Sequence, residues 1–203
     1  MEDRRLRDAV ASAVRPLNDF TGPFRVLLAD PPWIVERGSG RVKRGAQRYY
    51  TLLPTKAIPG VLLGSPLWRP HPDGAHLYLW STNAAIPSAL WVMEQVGFRY
   101  VTMLTWAKLG RFGLGRYFRG RTEQLLFGVQ GPYLPPLCRT QGTLLEATRR
   151  EHSRKPEVAY AAIEAVSPGP RVEFFARGAG RPGWATWGTE ARPPTAQPAE
   201  ATP

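Results

Sequence analysis

The sequence predicts an α/β fold in which a mostly parallel sheet carries helices on both faces. Three observations point to it. Short apolar, β-rich runs alternate with stretches of helical period, the pattern of βαβ units. The first strong run breaks off at a polar residue followed by two prolines, as a buried strand does where it enters a constrained loop. The chain of 203 residues, 43% hydrophobic, is long enough for one sizeable core and short for two.

The elements follow in order. Residues 3–15 place Leu6, Val10 and Val14 at helical spacing among charges, which predicts a short amphipathic helix before Pro16. Residues 25–29 (RVLLA) read as the buried strand. Residues 36–48 are polar, rich in Gly and Arg and without apolar period, and read as a basic loop beside the strand end. A Pro-broken segment runs to about Pro72. Residues 76–80 read as a strand, and residues 84–96 as a helix stopped by Gly97. Residues 100–107 form the next predicted strand and lead into a second basic loop, 108–121, where Arg111, Arg116, Arg119 and Arg121 alternate with Phe112, Tyr117 and Phe118. A strand at 124–129, a helix at 157–166 and a last core strand at 171–176 complete the pattern. Residues 1–190 are expected to make one domain, and the Pro/Ala-rich residues 191–203 a disordered tail.

Composition narrows the function. Twenty-seven Lys and Arg against 16 Asp and Glu leave a net charge of +11, which favours a polyanionic partner, nucleic acid foremost. The single cysteine excludes an internal disulfide, and no apolar run long enough for a membrane span occurs, so a cytoplasmic protein is expected. Three scattered histidines and that cysteine lack metal-ligand spacing, and no metal is expected.

Asp30-Pro31-Pro32-Trp33 carries chemistry at the strand's carboxyl end, where open α/β sheets hold ligands. An exocyclic adenine amine is a weak nucleophile, because its lone pair is delocalised into the ring. The Asp30 carboxylate and the Pro31 carbonyl, held rigid by the diproline, supply two acceptors for its two N–H bonds and stabilise the charge that develops on nitrogen. Trp33 offers a face on which the base could stack. By itself the tetrapeptide reads equally well as a strand-terminating turn.

Further segments occur in order: residues 79–83 (LWSTN), 105–108 (TWAK), 121–128 (RTEQLLFG), 152–156 (HSRKP) and 173–177 (EFFAR), then Gly183-Trp184 and Trp187-Gly188. With DPPW, they resemble the adenine-N6 methyltransferases named after the seventy-kilodalton MT-A subunit, over about residues 24–190, with a bacterial or phage-like DNA member in view. The resemblance implies a Rossmann-like methyltransferase fold in the β-class order, where the catalytic motif precedes the main cofactor strand, and it implies S-adenosyl-L-methionine as methyl donor. By the same resemblance Asp30 lies near donor and target alike. Lys155 looks like the lysine that reaches the donor's carboxylate, and Arg177 like the arginine on its ribose side. Thr189 and Glu190 fall where the family often has Asn and then Glu or Gln. Lys155 and Arg177 also read as ordinary solvated basic residues at element ends.

For the substrate, Tyr50 lies in the segment that matches a family Tyr-x-x-Met stretch, and Arg44, Arg48, Arg116 and Arg119 in the two basic loops are expected to guide the backbone. Asn83 and Glu123 read either as substrate contacts or as a strand-end cap and a buried partner for Arg121. A site-specific adenine methyltransferase acting on DNA is the expected function, alone or as a homo- or hetero-dimer. The alternatives are the same chemistry on RNA, and a catalytically silent nucleic-acid-binding subunit.

Overall fold

The computed structural model describes residues 20–34, 52–110, 112–113, 117–149, 154–188 and 190–192. The helix expected at 3–15 and the loop at 36–48 lie outside them.

Strand β1 (Val26–Ala29) is buried at every position, because both faces of the sheet are covered at its centre. Leu27 and Ala29 join a core cluster on one face; Val26 and Leu28 join a second cluster on the other. Full burial of each leucine contributes about 1.5–3 kcal/mol. Helix α1 (Ile58–Leu63) packs Ile58, Val61 and Leu62 into the first cluster. Sequence reading treats this stretch as broken by proline, but Pro59 lies in the first turn, where the missing N–H has no partner to lose.

Strand β2 (Ala75–Ser81) pairs parallel with β1. Helix α2 (Ile86–Gln95) presents Ala89, Val92 and Met93 to the first cluster at spacings of three and four. It stops at Gly97 (φ 84°), with Gly97 N–H donating to Glu94 O at 2.9 Å and Phe98 N–H to Met93 O at 3.0 Å. Strands β3 (Arg99–Leu109) and β4 (Thr122–Gln130) form an antiparallel pair, and β4 also runs antiparallel to β2. Strand β5 (Leu144–Thr148) adds to β3 in parallel. Helix α3 (Glu157–Val166) covers the second cluster with Ala159, Ala162 and Ile163. Strand β6 (Arg171–Phe174) returns beside β1, and β8 (Trp184–Trp187) pairs parallel with β6. The short β7 (Arg177–Ala179) and β9 (Glu190–Arg192) form a separate parallel pair.

The seven-stranded sheet has the order β5-β3-β4-β2-β1-β6-β8. The pairings leave β4 alone opposed to the other six strands, so the sheet is mostly parallel, with α1 and α2 on one face and α3 on the other. Two strands of this sheet go unread in the sequence. β5 is an edge strand with a broken apolar pattern, and β8 is four residues long between glycines. β9 ends at Arg192, and the tail expected beyond it lies outside the described residues.

Candidate active site

The order of the sheet reverses direction about β1: β2 lies on one side, and β6, reached through α3, on the other. A crevice at the carboxyl ends of these strands follows from that topology. Asp30 sits in it directly after β1, its N–H directed to the Phe174 carbonyl at 3.4 Å.

The tetrapeptide is a pinned turn. Trp33 N–H donates to Pro31 O and Leu53 N–H to Pro32 O, each at 2.9 Å. The indole Nε1–H of Trp33 donates to the Trp80 carbonyl at the end of β2, at 2.8 Å. Trp33 is 7% exposed and belongs to the core cluster under α1 and α2. That corrects the stacking face expected of it: its ring is covered, and it anchors the turn to β2. The Pro31 carbonyl spends one lone pair on Trp33 and keeps the second.

Lys155, just ahead of α3, closes the site from the second face. Its Nζ lies 3.0 Å from Asp30 Oδ1 and 3.1 Å from Glu123 Oε2, and 5.0 Å from the Trp80 ring centroid. Glu123 in turn accepts from Lys108, which lies over Trp106 at 4.7 Å. The result is an alternating chain, Asp30, Lys155, Glu123, Lys108, largely shielded from water. Burial opposes charge on Glu123, yet the two ammonium groups outweigh it and hold the carboxyl below its usual range. Burial likewise opposes charge on Lys155, and Asp30 and Glu123 outweigh it and raise its pKa.

A family model described as MT-A70 matches residues 24–190, and DPPW, Glu123 and Lys155 all fall within that span. The chain belongs to the MT-A70 family. It is 32% identical over 172 residues to a putative N(6)-adenosine-methyltransferase MT-A70-like protein of Medicago truncatula, an alignment covering 78% of this chain and 25% of that protein. It is 31% identical to the human N(6)-adenosine-methyltransferase catalytic subunit METTL3, across 83% of this chain and 28% of METTL3. The type II methyltransferase M.MunI of a Mycoplasma species is 27% identical, across 82% of this chain and 77% of that protein. The chain thus spans about a quarter of the length of the eukaryotic relatives it matches. Membership of a methyltransferase family and the observed sheet together make the fold the Rossmann-like one expected, with the DPPW tetrapeptide early in the chain.

The remaining sequence-derived site residues divide. Glu123 is paired with Lys108 and Lys155, not with Arg121, which lies over Phe112. Asn83 opens a 3-10 turn after β2. Its Nδ2 donates to Thr122 Oγ1 at 2.8 Å and its Oδ1 accepts from Gln124 Nε2 at 3.0 Å, so its amide ties β2 to β4. Arg177 starts β7, and its backbone lies in register with Glu190 of β9, at the same sheet edge as Asp30. Arg119 is exposed beyond β3 and β4. Arg44, Arg48, Tyr50, Arg116 and Thr189 lie outside the described residues. Among the described residues no group of His, Cys, Asp and Glu could hold a metal, and no helix is long and apolar enough to cross a membrane.

Two groups escape sequence reading. Lys108 is one; the other is Glu173 on β6, which accepts from the Tyr160 hydroxyl of α3 at 2.8 Å. A carboxyl inside an otherwise apolar strand (VEFF) is a signal that could have found it. Burial pushes Glu173 up to about 7, and the nearby Asp30 charge adds to the rise against Tyr160, Arg181 and Lys155. A carboxyl raised in the folded state stabilises below its ordinary pKa of 4.5, and that contribution is lost as pH rises through about 7. Glu173→Gln keeps an acceptor for Tyr160 and removes the titration. The variant should be more stable than the parent at pH 8, by on the order of 3 kcal/mol at most, with the difference shrinking towards pH 5. Thermal melts of both proteins between pH 5 and 8 check this, and parallel profiles would contradict it.

Proposed function

We propose that this chain transfers a methyl group from S-adenosyl-L-methionine to the exocyclic N6 of adenine in DNA, and that its residues up to about 190 act as one methyltransferase domain. The observation that carries the reading is the Asp30 carboxylate at the switch point, fixed by Lys155 at 3.0 Å beside the Pro31 carbonyl of a pinned turn.

Asp30 accepts one N6–H of the target base, and the free lone pair of the Pro31 carbonyl accepts the other. Two acceptors in fixed directions localise the nitrogen lone pair and oppose the positive charge that builds on it. Because the turn and the ion pairs already hold both oxygens, little reorganisation accompanies the reaction. A bound donor would supply an electrophilic methyl whose bond to sulfur breaks, giving a neutral thioether, as the bond to N6 forms. Asp30, which already accepts one N6–H, is placed to take the proton that N6 then sheds.

The donor's amino acid end is zwitterionic, and the alternating chain suits it. Lys155 offers a cation for its carboxylate, and Asp30 an anion for its ammonium. Arg177 and Glu190 stand at the same edge, where the ribose would lie. The net charge of +11 supports a nucleic-acid substrate.

DNA is preferred because the type II methyltransferase is the relative this chain most nearly matches in length among those named above. RNA is the second reading, favoured by the identity to proteins named N(6)-adenosine-methyltransferases. Incubation with labelled donor and mixed-sequence DNA or RNA, followed by nucleoside analysis, tests both. N6-methyladenine from DNA is the expected product; label from RNA only moves the substrate. No label on either polymer, with both bound, overturns the enzymatic reading.

A further inference from the structure

We propose that the turn between β3 and β4 is a stacking platform for unpaired bases, so that the polymer is presented to Asp30 as a single strand. This rests on the reading of the site as one that acts on nucleic acid, and it adds the state of the substrate.

The base of the turn is held from several sides. Lys108 N–H donates to Arg121 O at 2.7 Å, and Gly113 N–H to Gly120 O at 3.2 Å. The Arg149 guanidinium, just past β5, donates to the same Gly120 carbonyl at 3.1 Å. Arg121 lies 5.1 Å from the centroid of Phe112. Above this base the aromatic rings do not fold back onto the protein: Tyr117 is 87% exposed and Phe118 90%. Two adjacent large rings left in water forgo the burial that normally rewards such side chains, which marks an interaction surface.

Charge selects the occupant. Residues 110–121 contain four arginines and no acidic residue. Exposed flat rings in an arginine-rich stretch of sequence match a single-stranded polymer, whose phosphates meet the cations while its bases stack on the rings. A duplex offers phosphates but keeps its base faces stacked, so it would leave Tyr117 and Phe118 unused. Position agrees: β3 and β4 carry the turn from the same carboxyl edge as Asp30, and Lys108 at its foot begins the ion-pair chain that ends on Asp30. With the Trp33 ring covered, the exposed aromatic faces at this edge belong, among the described residues, to the turn.

The test reads binding alone, so its outcome is independent of methyl transfer. Single-stranded and duplex oligonucleotides of one sequence, carrying 2-aminopurine beside an adenine, are titrated with the full chain, with Tyr117→Ala/Phe118→Ala and with Arg119→Gln. The parent should bind the single strand at least about tenfold more tightly than the duplex and quench its fluorescence. The double alanine variant should lose about tenfold or more on the single strand together with the quenching, and should change little on the duplex. Arg119→Gln should keep the quenching and lower the salt slope by about 0.7. Equal affinity for both forms, or quenching that survives the double substitution, overturns the platform. So does a parent dimer that becomes monomeric in Tyr117→Ala/Phe118→Ala with polymer binding unchanged, which would assign the rings to a second protein chain. If methylation fails while these binding results hold, the enzymatic reading fails and the platform stands; the reverse pattern separates them the other way.

Discussion

Asp30→Ala is expected to lower the turnover of methyl transfer by about a hundred- to thousandfold, the usual cost of removing one preorganised group that opposes charge in a transition state. The effect should fall on kcat, because in the proposed mechanism Asp30 meets the nitrogen on which charge develops. The fold should survive. Lys155 keeps Glu123 at 3.1 Å, and the turn remains fastened by Trp33 to Trp80 and by Leu53 to Pro32, so no buried cation is stranded. Asp30→Asn preserves shape and one acceptor oxygen but not the charge, and should fall between the parent and Asp30→Ala. Single-turnover rates with a bound oligonucleotide, beside thermal melts, check both points. Turnover equal to the parent in a folded Asp30→Ala protein would remove Asp30 from the chemistry.

Lys155→Met carries the largest expected cost in stability. Lys155 is the only cation within ion-pair distance of Asp30 among the described residues, and it shares Glu123 with Lys108. Taking it away leaves two shielded carboxylates facing each other across the volume it occupied. Loss of one partner from a buried ionic group costs about 3–5 kcal/mol, and the partial exposure here favours the lower end, or roughly 6–12 °C in a chain of this size. The pH dependence has a definite sign. Glu123 is held below its ordinary range in the parent, so it contributes stability above that range and loses it as pH falls. In Lys155→Met this acid sensitivity should weaken or reverse, since protonating Glu123 relieves the repulsion. Adding Glu123→Gln should recover part of the loss. Melting temperatures of the parent, single and double variants between pH 4 and 8 measure all of this, and a single variant as stable as the parent would show that the ion chain contributes nothing.

The position of the candidate site was legible because its signals are local. A diproline after an apolar strand dictates a rigid turn wherever it occurs, and a carboxylate at that point lies at the end of a strand. The bounds of α3, residues 157–166, agree with the sequence reading because a proline, an acidic first turn and an Ala/Ile stripe all mark the same segment. The order of motifs also lies in the chain itself. Trp33 was misread for the opposite reason. An indole after a turn can face solvent or core, and the choice rests on the Trp80 carbonyl, 47 residues away.

Composition, periodicity and motif order by themselves determined the α/β class, the place of the DPPW tetrapeptide and the family resemblance, since each depends on residues near one another along the chain. Tertiary structure alone decided that β4 runs against its neighbours, that β5 and β8 complete the edges of the sheet, and that Lys155 is shared by Asp30 and Glu123. Strand direction and side-chain partnership arise when distant segments compete for the same hydrogen bonds, buried volume and counter-charges, and that competition is resolved only in the packed molecule.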